Sequence, residues 1–139
     1  MLLEMLLVIA ITDGDTIKVL DSNNQQIKVR LASIDAPERK QPFGKKSKQM
    51  LTNLIGNRQV NLDCPKKGRY KRQICTITLN GIDINRKMIE LGGAWVYRKY
   101  YKGTDYLELE SNAKLNQLGL WNTSEYQAIP PWEWRKNKR

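Results

Sequence analysis

Residues 5–38 read MLLVIAITDGDTIKVLDSNNQQIKVRLASIDAPE, and the fold can be read outward from them. The run from Met5 to Thr12 is apolar and stops at Asp13-Gly14, a dipeptide that strongly signals a tight hairpin. A second strand follows at Thr16 to Leu20, and Asp21 to Asn24 is a polar turn. Ile27, Val29 and Leu31 then alternate with Lys28 and Arg30 at period two, the pattern of a strand with one buried face. The first third of the chain is therefore a three-stranded meander.

Beyond Pro37 and Pro42 the period changes. Met50, Leu51, Leu54 and Ile55 recur at helical spacing, with Gly56 as the stop. Val60 and Leu62, then Ile74, Thr76, Ile77 and Leu79, form two more strands around a loop from Pro65 to Arg72, and Asn80-Gly81 closes the second. A second helix starts near Asp83, carries Ile84, Met88 and Leu91 on one face and ends at Gly92-Gly93. A third spans about Tyr106 to Leu118, capped by Thr104 or Asp105 and ended by Gly119. Three strands, a helix, two strands and then helices is the element order of an OB-fold: an α+β, five-stranded Greek-key barrel with three helices. The expected organisation is one barrel domain over residues 1–121 and a basic, Trp-containing tail over 122–139. Pro130-Pro131, Trp132 and Trp134 should bring that tail back by its aromatics or leave it loose on the surface.

The chain has 139 residues, 24 Lys and Arg against 14 Asp and Glu, and a net charge of +10, which favours a polyanionic partner. It has no His, so imidazole acid–base chemistry and imidazole metal ligation are closed to it. A hydrolytic site here must use carboxylates, Arg, Lys, Tyr and a hard, oxygen-loving cation. The two cysteines, Cys64 and Cys75, match no zinc spacing and flank a turn-rich basic segment. Buried thiols and a cross-strand disulfide are both open. The apolar opening has no basic n-region and no small-residue cleavage site, so it reads as a core strand rather than a signal peptide or membrane segment.

Two acidic stretches fall at strand ends and would reach the same end of a barrel: Asp13-Gly14-Asp15-Thr16, and Arg30 to Glu38, RLASIDAPE. Each acid taken singly is ordinary turn chemistry. Together they supply the convergent oxygens that a hard cation needs, beside an arginine able to face a phosphate. The strand alternation by itself would point Arg30 to solvent as readily as into a site.

These stretches resemble the staphylococcal nuclease family, which shows a DGDT turn, an R-L-x-x-[IV]-D-[TA]-P-E segment and a later Y-[GK]-R step before a strand. Here they are Asp13 to Thr16, Arg30 to Glu38 and Tyr70-Lys71-Arg72, and the likeness runs from about Met5 to Trp121. The resemblance implies calcium held by Asp15, Asp35 and the backbone carbonyl of Ala36, where many relatives have Thr. It implies Arg30 and Arg72 on the scissile phosphate, and Glu38 activating or orienting water. Arg69 and Tyr70 fall where members of the family contact the nucleotide, while Tyr97, Tyr100 and Tyr101 offer rings for base stacking or for closing the barrel mouth. Gly68 departs from the acid usual two positions before the tyrosine, and the loop after Glu38 is shorter than in the archetype.

The expected function is calcium-dependent, low-specificity hydrolysis of DNA or RNA by a monomer, with no membrane and no obligate protein partner. Many members of the family are exported, so an extracellular or periplasmic place is compatible, although no export signal is visible. A non-catalytic OB-fold nucleic-acid binder would explain the positive charge. It would not require Asp15, Arg30, Asp35, Glu38 and Arg72 in one chain.

Overall fold

A computed structural model describes residues 2–67 and 72–137 of the chain. The strands are β1 (Leu2–Asp13), β2 (Thr16–Leu20), β3 (Gln26–Leu31), β4 (Ile34–Asp35), β5 (Gln59–Lys67), β6 (Gln73–Leu79), β7 (Ile82–Asp83) and β8 (Trp95–Val96). The helices are α1 (Gly44–Ile55), α2 (Ile84–Glu90), α3 (Asp105–Leu115) and α4 (Pro131–Asn137), with a 3-10 turn at Gly119–Trp121.

The main sheet runs β3-β2-β1-β5-β6-β7, and a parallel pairing of β3 with β6 closes it into a five-stranded barrel. One long strand serves two edges: β1 pairs with β2 through Leu7 to Asp13 and with β5 through Leu2 to Leu7. The register with β5 breaks between Leu3 and Leu6, at Met5 with a positive φ of 59°, because an inserted residue lets a strand bend round a small barrel. Ile17, Val19, Val29, Leu31, Leu62 and Ile77 fill the interior, and Leu51 and Ile55 of α1 close it from one side. Opposite-strand placement brings Cys64 of β5 to Cys75 of β6, where they form a disulfide, so of the two states left open for the cysteines the bonded one is present.

The OB-fold expectation holds, but the expected three helices are four among the described residues. The fourth is α4 in the tail, started by Pro131, whose fixed φ and missing N–H suit a first helical position. Glu133 in its first turn and Arg135 and Lys136 in its last complement the helix dipole. The third helix also ends earlier than expected, at Leu115 rather than Leu118. Gln117 turns into the left-handed region, and Leu118 N–H returns to Ala113 O at 3.0 Å. That reversal lets Leu120 N–H reach Gly92 O at 2.8 Å, tying the end of α3 to the turn after α2.

Candidate active site

The site begins with the β1–β2 hairpin. Asp13 pairs with Thr16, which leaves Gly14-Asp15 as the two-residue turn. A Cβ at Gly14 would lie 1.9 Å from Ser47 Oγ and 3.0 Å from the Ala36 methyl, so only glycine lets the turn press against α1 and the 34–36 segment. The close approach carries the buried Asp15 across to that segment, where its Oδ2 accepts from Ala36 N–H at 2.7 Å. Its Oδ1 accepts from Thr16 Oγ1 at 2.9 Å, and its backbone carbonyl from Leu31 N–H at 2.8 Å.

Arg30 does not point to solvent. Its side chain is 14% exposed, and one end of the guanidinium donates to Leu31 O at 2.8 Å and Ile34 O at 2.9 Å, capping the tight turn that Ser33 makes with φ 69°. The other end lies 3.4 Å from Asp15 Oδ2 and 3.3 Å from Asp35 Oδ1. A planar fork with five donors can join a turn and two carboxylates in this way, whereas an ammonium could not. Asp35 itself is fully buried and fixed from behind, because Ile34 and Asp35 pair with Val96 and Trp95 of β8.

Two buried polar side chains hold this frame. Glu110 of α3 accepts from Val96 N–H at 2.7 Å and from Arg98 at 2.7 Å, anchoring β8. Asn85 of α2 accepts from Ile77 N–H and donates to Ala32 O and Cys75 O, fixing the 31–34 turn to the barrel wall. Glu110 was readable in principle: it lies four residues after Tyr106 and three before Ala113, on the buried face of α3.

The largest surprise comes from the tail. Arg135 of α4 donates to Asp35 Oδ2 at 2.7 Å, to Asp35 Oδ1 at 3.0 Å and to Glu38 Oε1 at 3.0 Å. Trp132, one helical turn earlier, stacks on Tyr97 with rings 5.7 Å apart and 7° from parallel, and meets Trp95 edge-on at 5.5 Å. Of the two placements expected for the tail, it packs back by its aromatics. Its signal in the sequence was the Pro-Pro-Trp-Glu-Trp-Arg run, which puts an aromatic and a cation three residues apart on one helix face.

Four carboxylates thus crowd one end of the barrel. Burial, with the charge of Asp15 adding to it, pushes the Asp35 carboxyl above its usual range, while Arg135 and Arg30 pull it back. Asp13 is raised too, by burial first and then by Asp15 and Glu38. The carboxylates of Asp35 and Glu38 raise the Arg135 guanidinium and keep it charged.

The other expected residues divide. Arg72 stands directly before β6, two residues ahead of Ile74, which flanks Arg30 across the β3–β6 seam. Its Nε is buried without a hydrogen-bond acceptor among the described residues. Arg69 and Tyr70 lie outside the described residues. Tyr97 has one ring face against Trp132 and meets Tyr100, which is 58% exposed, in a T-shaped contact. Tyr101 serves the fold: it stacks on Tyr106 at 4.6 Å, and its hydroxyl accepts from Tyr106 N–H at 3.0 Å.

Among the described residues no three acidic, His or Cys side chains converge as a ready metal cluster. The donor chemistry still fits a hard cation. Each carboxylate has about four lone-pair positions. Thr16 Oγ1 uses one on Asp15 Oδ1, and Arg135 uses one on Asp35 Oδ2, so both oxygens keep capacity for a further ligand. Calcium accepts such mixed carboxylate, carbonyl and water shells.

Comparison with known proteins agrees with the architecture. The profile of the family described as staphylococcal nuclease homologue matches residues 28–123. An uncharacterized endonuclease of Haemophilus influenzae is 39% identical over 132 residues, covering 95% of this chain and 73% of its own. One from Escherichia coli O157:H7 is 36% identical over 132 residues, covering 94% and 84%. A micrococcal nuclease of Shigella flexneri is 40% identical over 140 residues, covering 93% and 79%. With a closed five-stranded barrel and an acid-and-arginine cluster at one end of it, the chain belongs to the staphylococcal nuclease family and is an enzyme of the phosphodiesterase class.

Proposed function

We propose that the chain is a calcium-dependent nuclease that hydrolyses phosphodiester bonds of DNA or RNA with little sequence preference. The observation that carries this reading is the shared guanidinium: Arg30 lies 3.4 Å from Asp15 and 3.3 Å from Asp35, so two carboxylates and a phosphate-binding group are already convergent. Asp15, Asp35 and the carbonyl of Ala36 would hold the cation. When bound, it supplies charge to offset that accumulating on the phosphate.

The chain's own residues do the rest. Arg30 and Arg72 grip the phosphate oxygens, and the Nε of Arg72, which meets no acceptor among the described residues, is a donor suited to that task. Glu38 stands beside Asp35 through their common contact with Arg135, where its carboxylate can take the proton of the attacking water. Tyr97, Tyr100, Arg69 and Tyr70 contact nucleotides around the scissile bond. Stacking and phosphate contacts read no base edges, hence the low specificity. The active species is taken as the monomer.

The experiment is cleavage of labelled single- and double-stranded DNA and RNA with calcium, magnesium or chelator. Calcium should support turnover, chelator should abolish it, and magnesium, with its stricter octahedral demand, should support little. Full activity in chelator would remove the metal assignment, and binding without cleavage in every condition would favour a non-catalytic binder.

A further inference from the structure

Arg135 bridges Asp35 and Glu38 from a helix that the barrel motifs do not include, and the tail is built to deliver it. Trp132 seats α4 on Tyr97 and on Trp95, the residue opposite Asp35 in the β4–β8 pair. Gln41 makes a second tie: its Nε2 donates to Ile129 O just before α4, and its Oε1 accepts from Glu38 N–H at 3.0 Å. The same side chain therefore fixes the tail and the backbone of Glu38. One nitrogen of Arg135, Nη1, then reaches both Asp35 Oδ1 and Glu38 Oε1 at 3.0 Å, which sets the spacing of the two carboxylates. Among the described residues, Arg135 is the hydrogen-bond donor to the Glu38 carboxylate.

We propose that Arg135 is a positioning residue of the active site, holding the Glu38 carboxylate in register with Asp35 through one planar guanidinium. The proposal rests on the role given above to Glu38. A blocking role, with the guanidinium standing where a cation belongs, predicts the opposite sign for its removal. The geometry favours positioning, because Arg135 takes one lone pair on each Asp35 oxygen and Oδ2 keeps another.

The test compares wild type, Arg135→Ala and Arg135→Lys in single-turnover cleavage at saturating calcium. Loss of a group that orients site ligands costs on the order of 10- to 100-fold. Arg135→Ala should fall by about that factor in the single-turnover rate constant with the half-saturating concentration little changed, Arg135→Lys should recover part, and low, non-denaturing guanidinium ion should partly rescue the alanine variant. A second readout needs no activity: in chelator, Asp35→Asn should speed amide exchange of Trp134 to Asn137, which the ion pair anchors. An alanine variant as fast as wild type or faster overturns the proposal, as does a loss that neither lysine nor guanidinium recovers and that follows a lower melting temperature. Unchanged exchange in Asp35→Asn overturns it as well. A wild type that does not cleave at all removes the Glu38 reading and this one together, whereas a cleaving wild type beside an unimpaired Arg135→Ala removes this one alone.

Discussion

The two sides of the candidate active site are built differently. Asp15, Arg30 and Asp35 come from a two-residue turn and two strands consecutive in the chain, all within residues 15–35, with nearly every polar atom satisfied by backbone or by one another. Arg135 and Trp132 come from a seven-residue helix about a hundred residues further on, held among other contacts by stacked rings, the Arg135 guanidinium and the Gln41 tie to Ile129 just before it. A helix that short has almost no stability of its own. The barrel side is therefore rigid because the fold requires it, and the tail side is ordered only as far as its contacts hold it.

That contrast predicts the largest effect for Arg30→Ala. It leaves two buried carboxylates without their shared guanidinium and uncaps the 31–34 turn, so denaturant unfolding should show a loss of about 3–5 kcal/mol, with cleavage undetectable. A loss under about 1 kcal/mol would mean that the barrel side is less fixed than its hydrogen bonds imply. Arg72→Lys should instead spare the thermal melt and lose most of the turnover, since lysine keeps the charge but not the fork. Near wild-type turnover would reduce Arg72 to part of the basic surface.

Trp132→Ala tests the tail side. Two aromatic contacts are worth about 0.5–1.5 kcal/mol each beyond their buried area, so a modest drop in stability should accompany a larger drop in turnover as Arg135 loses its seat. Equal stability and activity to wild type would show that the tail is held by other means.

The sequence makes the barrel side legible because its information is local. Asp13-Gly14 marks the hairpin, the alternation of Ile27, Val29 and Leu31 marks β3, and Asp35 before Ala36-Pro37 marks a loop start. Even there alternation could not say which way Arg30 points. Its direction depends on two acids brought in by the turn and by β4, and family resemblance rather than periodicity identified it. The tail shows the limit more sharply. Its proline and tryptophans are visible as composition, but the face they pack against, Trp95 and Tyr97, is set by the β4–β8 pair and by Glu110 behind it. A buried glutamate contradicts the usual exposure of its type, so only its helical phase could have betrayed it. The cysteines were undecided for a similar reason: which residues of β5 and β6 oppose one another depends on register breaks between Asp63 and Lys66.

The smallest expected effect concerns Asp13, which lies beside the site with a carboxyl raised by burial and by its acidic neighbours. A carboxyl whose folded pKa is raised binds protons more readily folded than unfolded, so its contribution weakens the fold as pH rises through that raised value. Asp13→Asn should thus melt slightly higher than wild type at pH 7, and the advantage should fade as pH drops below the ordinary aspartate range. An advantage that grows towards acid would reverse the assignment of burial as the cause.

In the proposed reaction Glu38 takes part in hydrolysis while the basic surface does the binding. The direct measurement is filter binding and single-turnover cleavage of one oligonucleotide by wild type and Glu38→Gln, with calcium present and salt held fixed. Glutamine keeps the shape but cannot take the proton, so cleavage should slow by roughly 10²- to 10⁴-fold. Affinity should stay equal or rise slightly, because removing a negative charge does not weaken attraction to a polyanion. Cleavage at the wild-type rate by Glu38→Gln would contradict the account.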